Sequence, residues 1–178
     1  RSVIGEFSNA LGMTFMTFVG QNYGAQKYDR IKDGVRMGVI LSILIHIPLS
    51  AIEIFGGKRI ASLMVTDPSV LELCRQYLLI VGIFVFFLGF LMVFRNCIQG
   101  MGNTWIPMLS GGLEVISRLI FGYWLGRHSF MGIAAAEASA WISVSIMLGS
   151  SFFILFRKVL RTQTPENATD TENIGRVS

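Results

Sequence analysis

Charge is what this sequence has least of. Asp, Glu, Lys and Arg make up 15% of its 178 residues, where a soluble domain carries about 25%. So little polar surface cannot coat a globule in water. Cysteine is as scarce, with Cys74 and Cys97 alone, which excludes a disulfide scaffold. Both sit in or beside apolar runs and read as small buried hydrophobes. The two histidines, His46 and His128, fall on different segments, and no His/Cys/carboxylate cluster has metal-ligand spacing. Gly-x-Ser-x-Gly, the phosphate-binding glycine loop and the dinucleotide fingerprint are missing too. No catalytic residue, metal site or cofactor is therefore expected, and the chain does not read as an enzyme. The hydrophobic share of 52% excludes disorder over most of the length.

What is present is apolar: 14 Phe, 9 Met and 19 Gly, the last being more frequent in membrane helices than in soluble ones. The class that remains is an all-α integral membrane protein. A hydrocarbon core of about 30 Å needs about 20 mostly apolar residues per helix. Five stretches qualify: 3–20, 35–55, 77–98, 106–125 and 131–156. Runs this long leave no two-residue alternation for strands, and a bilayer admits only helices or closed barrels. Polar links are expected over 21–34 and 56–76, on opposite sides, with a tight Gly- and Asn-rich turn over 100–105 and a short link over 126–130. Pro107 suits the first turn of the helix that follows. Residues 1–161 thus form one transmembrane unit. The composition of 162–178 changes to Thr, Asn, Glu and Asp, which predicts a disordered tail. Within it, Asn167-Ala168-Thr169 has the form of a glycosylation acceptor and reads as a chance match. The chain starts at Arg1 already inside an apolar pattern without the layout of a signal peptide, so it is expected to begin partway through a longer protein.

The net charge of +4 lies at the ends of the apolar runs. Nucleic acid is therefore not expected as a partner. One side receives Lys27, Arg30, Lys32, Arg36, Arg157, Lys158 and Arg161, with Arg95 near its edge. The other receives Lys58, Arg59, Arg75 and Arg127. The positive-inside rule puts the richer side, and with it the C-terminus, in the cytoplasm of a multi-pass cell-membrane protein.

Ionisable residues inside the apolar stretches are candidate site residues. Glu114 and Arg118, four apart on one helix, share a face and can pair; the same spacing can serve equally to staple the bundle. Gly111 and Gly122 lie on that face and suggest close approach of a neighbour. Glu6 and Asn9 are followed on nearly the same face by Met13, Met16 and Thr17. A carboxylate above a methionine wall suits a cavity for apolar cations, while an interfacial Glu6 with packing methionines is the plainer account. Glu53 is expected to snorkel at the outer boundary beside Lys58. His46, near the kinking Pro48, reads as a hydrogen-bonded structural histidine more readily than a proton relay. Glu137 has Arg127 and His128 as expected partners. The small residues from Gly132 to Ser145, with Gly34-x-x-x-Gly38 and Gly122-x-x-x-Gly126, predict helix-packing faces.

The segment Thr17-Phe-Val-Gly-Gln-Asn-Tyr-Gly-Ala-Gln-Lys-Tyr-Asp-Arg-Ile-Lys32 resembles the signature after the second helix of a lobe in the multidrug and toxic compound extrusion (MATE) family. The likeness continues at Arg95-Asn-Cys-Ile-Gln-Gly-Met-Gly-Asn-Thr-Trp-Ile-Pro107, at Glu114-x-x-x-Arg118, and at Gly132-Ile and Ala140-Trp141. It implies five helices of a six-helix lobe, the eighth to the twelfth helix of a twelve-helix antiporter whose first lobe is the missing partner. Such a protein exports drugs or other small organic compounds, often cationic, in exchange for H+ or Na+. Two departures bear on the ion. Sodium-binding members often carry an acid in the tenth helix, and 77–98 has none; Glu137 stands where Pro is frequent before Ala-Trp. On this reading Glu114, Arg118, Glu6, Asn9, Met13 and Met16 line the substrate and ion pathway beside membrane lipid, while Gln21, Asn22 and Gly24 end a helix and shape a hinge. Two other readings are a truncated, non-transporting membrane fragment or partner subunit, and a lipid-linked-oligosaccharide flippase of a related superfamily. The latter predicts a broad cationic cavity, which the Glu- and Met-bearing faces do not favour.

Overall fold

The computed structural model describes residues 2–174 apart from Met64 and His128, with side chains from 5 to 161. In chain order it contains α1 (Ser2–Gly24), α2 (Tyr28–Ala51), a π-helical turn (Ile52–Gly56), α3 (Gly57–Ser62), α4 (Pro68–Gly100), α5 (Trp105–Gly126) and α6 (Phe130–Ile174); no strand occurs among the described residues. Because α2, the π turn and α3 run on without a break, there are five rods, one for each expected apolar stretch. Three, Tyr28–Ser62, Pro68–Gly100 and Phe130–Arg161, are long and apolar enough to cross a membrane. The other two, of 23 and 22 residues, have the length but carry more polar residues, Glu114 and Arg118 among them.

The rods overrun the apolar stretches at nearly every end. Apolarity marks the part that meets hydrocarbon, whereas backbone hydrogen bonding carries a helix on into polar sequence. The link expected over 21–34 therefore shrinks to three residues, and most of 56–76 is helical. α6 remains helical to Ile174, where a disordered tail was expected from 162; side chains of 162–178, including the acceptor-like Asn167, lie outside the described residues.

Local chemistry sets the ends that matter. α1 stops because Gln26 takes the left-handed conformation (φ 57°), and the Lys27 N–H then bonds back to the Asn22 carbonyl at 2.9 Å. Asp67 caps α4 by accepting from the N–H groups of Ser69 (2.8 Å) and Val70 (3.4 Å), with Pro68 in the first turn. These two N–H donors, Ser69 first, hold the Asp67 carboxyl below its ordinary pKa. Between α4 and α5, Gly102 supplies a φ of +81° that other residues resist, and Asn103 caps α5 through the Ile106 N–H at 3.1 Å.

α4 is the central rod. It packs against α1, α2 and α6, and α5 leans chiefly on α6. The core joins Val19, Ile31, Leu91, Cys97, Trp141 and Leu148. In lipid, association depends on close packing more than on a hydrophobic drive, so small residues do much of the joining. Gly132, Ala134, Ala136, Ala138 and Ala140 are buried in α6. At Gly132 a Cβ would stand 2.0 Å from the Leu125 carbonyl oxygen. Phe18 and Phe15 of α1 fill the space over Gly34 and Gly38. Gly111 departs from expectation. It has open space around it, because α5 meets α6 near Gly122 and Gly126 and leaves Val115, Ile116, Leu119 and Ile120 exposed.

Candidate functional site

Glu114 is the junction of three charged side chains. Only the four-residue turn 101–104 separates α4 from α5, so long charged side chains within a few turns on either side of it can come within reach of each other. One Glu114 carboxylate oxygen accepts from Arg118 Nη2 at 2.8 Å, and the other accepts from Arg95 Nη2 at 3.0 Å. The Glu114–Arg118 pair follows from its spacing; Arg95 of α4 joins the same carboxylate from a second helix. Side-chain exposures of 18% for Glu114 and 20% for Arg95 against 44% for Arg118 make the interhelical half of the triad the drier one. Two guanidiniums on one carboxylate leave a net charge of +1, and Arg118 presents it outward.

A second polar centre ties three helices together. His46 is fully buried, with Ser8 and Ser42 at 1% exposure. His46 Nδ1 lies 2.7 Å from the Ser42 carbonyl, which can only accept, so Nδ1 carries a proton. In the neutral ring Nε2 then accepts from the Ser8 hydroxyl at 2.8 Å. Gly89 of α4 makes room for this: a Cβ there would lie 2.2 Å from Ser42 Oγ and 2.5 Å from His46 Cε1. The expected structural histidine is what the geometry contains.

Two other carboxylates have partners or positions that the sequence does not give. Glu53 does not snorkel beside Lys58. It lies within the π turn at 7% exposure, where its Cβ stands 3.3 Å from the position a Cβ would take on Gly82 of α4. Glu137 accepts a hydrogen bond from the Tyr77 hydroxyl of α4. Its expected partner Arg127 lies over the Tyr123 ring at 5.3 Å and donates to that hydroxyl at 3.2 Å, while His128 lies outside the described residues. Sequence reasoning missed Tyr77 because it looked only for charges near Glu137 in the chain.

On α1, Glu6, Asn9, Met13 and Thr17 are exposed and Met16 is half-buried. The opposite face of the same helix, through Ser8, Gly12, Phe15 and Val19, packs into the bundle. The polar and methionine stripe therefore points away from the other described helices. Gln21 and Gly24 are exposed at the end of α1, and the buried Asn22 donates Nδ2–H to the Phe18 carbonyl at 2.8 Å. The stripe and the Glu114 triad are not brought into one site: α1 packs on α2 and α4, and α5 on α6 and α4. Among the described residues no group of three or more His, Cys, Asp or Glu could hold a metal ion.

Comparison with known proteins gives this arrangement a context. The profile of the MatE family matches residues 2–124. A relative from Thermotoga maritima, named "Probable multidrug resistance protein NorM", is 24% identical over 149 residues, covering 82% of this chain and 31% of the relative. The "FAD transporter" of Shewanella oneidensis is 31% identical over 94 residues, 51% of this chain and 20% of that protein. Among solved structures, one described as the inward-facing conformation of a multidrug resistance MATE family transporter of the MOP superfamily superposes with a TM-score of 0.71. It is 19% identical and covers 82% of this chain and 34% of that one. The chain spans about a fifth to a third of the length of the curated relatives that match most of it.

Proposed function

Because this chain belongs to the MatE family of membrane transporters, we propose that it supplies most of the second lobe of a secondary-active antiporter that exports small organic, often cationic, compounds in exchange for H+ or Na+. The observation that carries this reading is the division of α1 into two faces. One half of the helix is locked into the bundle through Ser8, Gly12 and Phe15, and the other offers Glu6, Asn9, Met13 and Thr17 to whatever lies opposite. A carboxylate over soft, adaptable methionines suits a cationic apolar substrate held between this lobe and a first one.

The Glu114 triad, which lies on α4 and α5 apart from the α1 stripe, would line or brace the same central cavity from another side, with Glu114 holding both arginines. Protonation or ion binding and substrate binding would favour opposite lobe orientations, which is all that coupling requires. Gln21, Asn22 and Gly24, at the end of α1, would form the hinge on the cytoplasmic side. The test uses the full-length protein in everted vesicles, with efflux of a cationic dye and membrane abundance measured together. Glu114→Gln is expected to abolish efflux while abundance holds, and Glu114→Asp to recover part of it. A parallel fall in abundance and efflux, uncorrected by Asp, would assign Glu114 to bracing alone.

A further inference from the structure

A cavity of about 790 Å³ opens between the beginning of α2 and the later turns of α6, with α4 at its back. Its wall is aromatic. Phe94 of α4 lies against Phe152 and Phe153 of α6, with ring centroids 5.7 and 6.4 Å apart. Its rim is cationic, formed by Lys32 and Arg36 of α2 and Arg157 of α6. All three are exposed, and no described carboxylate is in salt-bridge contact with them.

The two halves of this groove restrict what fits it. A soluble anion would use the rim and leave the rings wet. A cationic drug would be repelled, and a neutral lipid would leave three cations without a partner. The groove also lies at the end of the bundle that gathers Lys27, Arg30, Lys158 and Arg161, where the positive-inside rule places the anionic leaflet. We propose that it binds an anionic phospholipid, the phosphate on Lys32, Arg36 and Arg157 and one acyl chain along Phe94, Phe152 and Phe153. A lipid held there would tie α2 to α6 across the face of α4.

Native mass spectrometry of the full-length protein, titrated in turn with phosphatidylglycerol, phosphatidylcholine and inorganic phosphate, tests this. Phosphatidylglycerol is expected to be retained well above both. Each cation near the membrane surface is worth about fivefold in affinity, so Arg36→Gln with Arg157→Gln should weaken it about 25-fold. The Arg36→Lys, Arg157→Lys pair should keep most of it. Phe153→Ala should weaken both lipids alike. Equal retention of the two lipids would overturn the proposal, as would inorganic phosphate binding as well as phosphatidylglycerol, or an unchanged titration of the double Gln variant.

Discussion

Adding a single methyl group at Gly89 probes the most tightly specified point of the bundle. In Gly89→Ala the new Cβ would stand 2.2 Å from Ser42 Oγ and 2.5 Å from His46 Cε1. Neither neighbour can withdraw cheaply, since both are buried and His46 is held at each ring nitrogen. Overpacking costs about 1–3 kcal/mol, and a displaced ring hydrogen bond adds about 1 kcal/mol. Replacing a mid-helix Gly by Ala returns up to about 1 kcal/mol. The net expectation is a loss of about 1–3 kcal/mol, read as a lowered unfolding midpoint of the detergent-solubilised full-length protein. Two companions make the result specific. Gly111→Ala, where nothing lies within 4 Å, should be neutral or slightly stabilising. His46→Ala in the Gly89→Ala background should cost less than the sum of the two single changes, because it vacates the contested space. Equal midpoints for Gly89→Ala and Gly111→Ala, or strict additivity with His46→Ala, would refute the packing argument.

Glu114→Ala, which unlike the Gln variant leaves Arg95 no acceptor, should destabilise by about 2 kcal/mol more than Arg118→Ala in the same unfolding assay. It strands Arg95 at 20% exposure, whereas loss of the half-exposed Arg118 leaves the Arg95 pair intact. The cap of α4 should depend on pH. The Asp67 pKa is depressed by the Ser69 and Val70 N–H groups, so its contribution is complete above the ordinary aspartate value of about 4 and is lost as pH falls through the lower folded one. Hydrogen exchange at Ser69 and Val70 should therefore report an opening of the cap below pH about 4 in the wild type that Asp67→Asn, which keeps an acceptor but cannot titrate, does not show. A small maleimide should label the half-buried Cys74 in the folded protein and leave Cys97, at 0% exposure, untouched until denaturation; equal labelling of both would place Cys97 on an open surface.

The fold was legible because apolar length is a strong and local signal. Each of the five stretches marks a rod, and the turn at Gly102 and the helix start near Pro107 fall where Gly, Asn and Pro place them. The ends were less legible: hydropathy says nothing of a cap such as Asp67, although Thr66-Asp67-Pro68-Ser69 carries the signal in its residue types. The polar sites were legible only where both partners lie on one helix. Glu114–Arg118 follows from spacing, but Arg95–Glu114, Tyr77–Glu137 and Ser8–His46 join residues 19, 60 and 38 apart. Hairpin geometry across the short α4–α5 turn could have suggested Arg95; nothing in the sequence alone puts Tyr77 beside Glu137. Glu53 was misread because an interfacial position by count became a buried one once the helix widened around it.

That widening divides one rod into two. Before it, the buried residues Ile31, Val35, Gly38, Ser42 and His46 recur at three- and four-residue steps; after it, Gly57 lies against Leu78 of α4, its missing side chain letting the leucine approach. A π turn advances the wheel by less per residue than an α-helix does, so Ile52–Gly56 re-aims the last part of the rod without ending it. The 35-residue rod is thus two segments whose faces are set separately, joined end to end by continuous backbone.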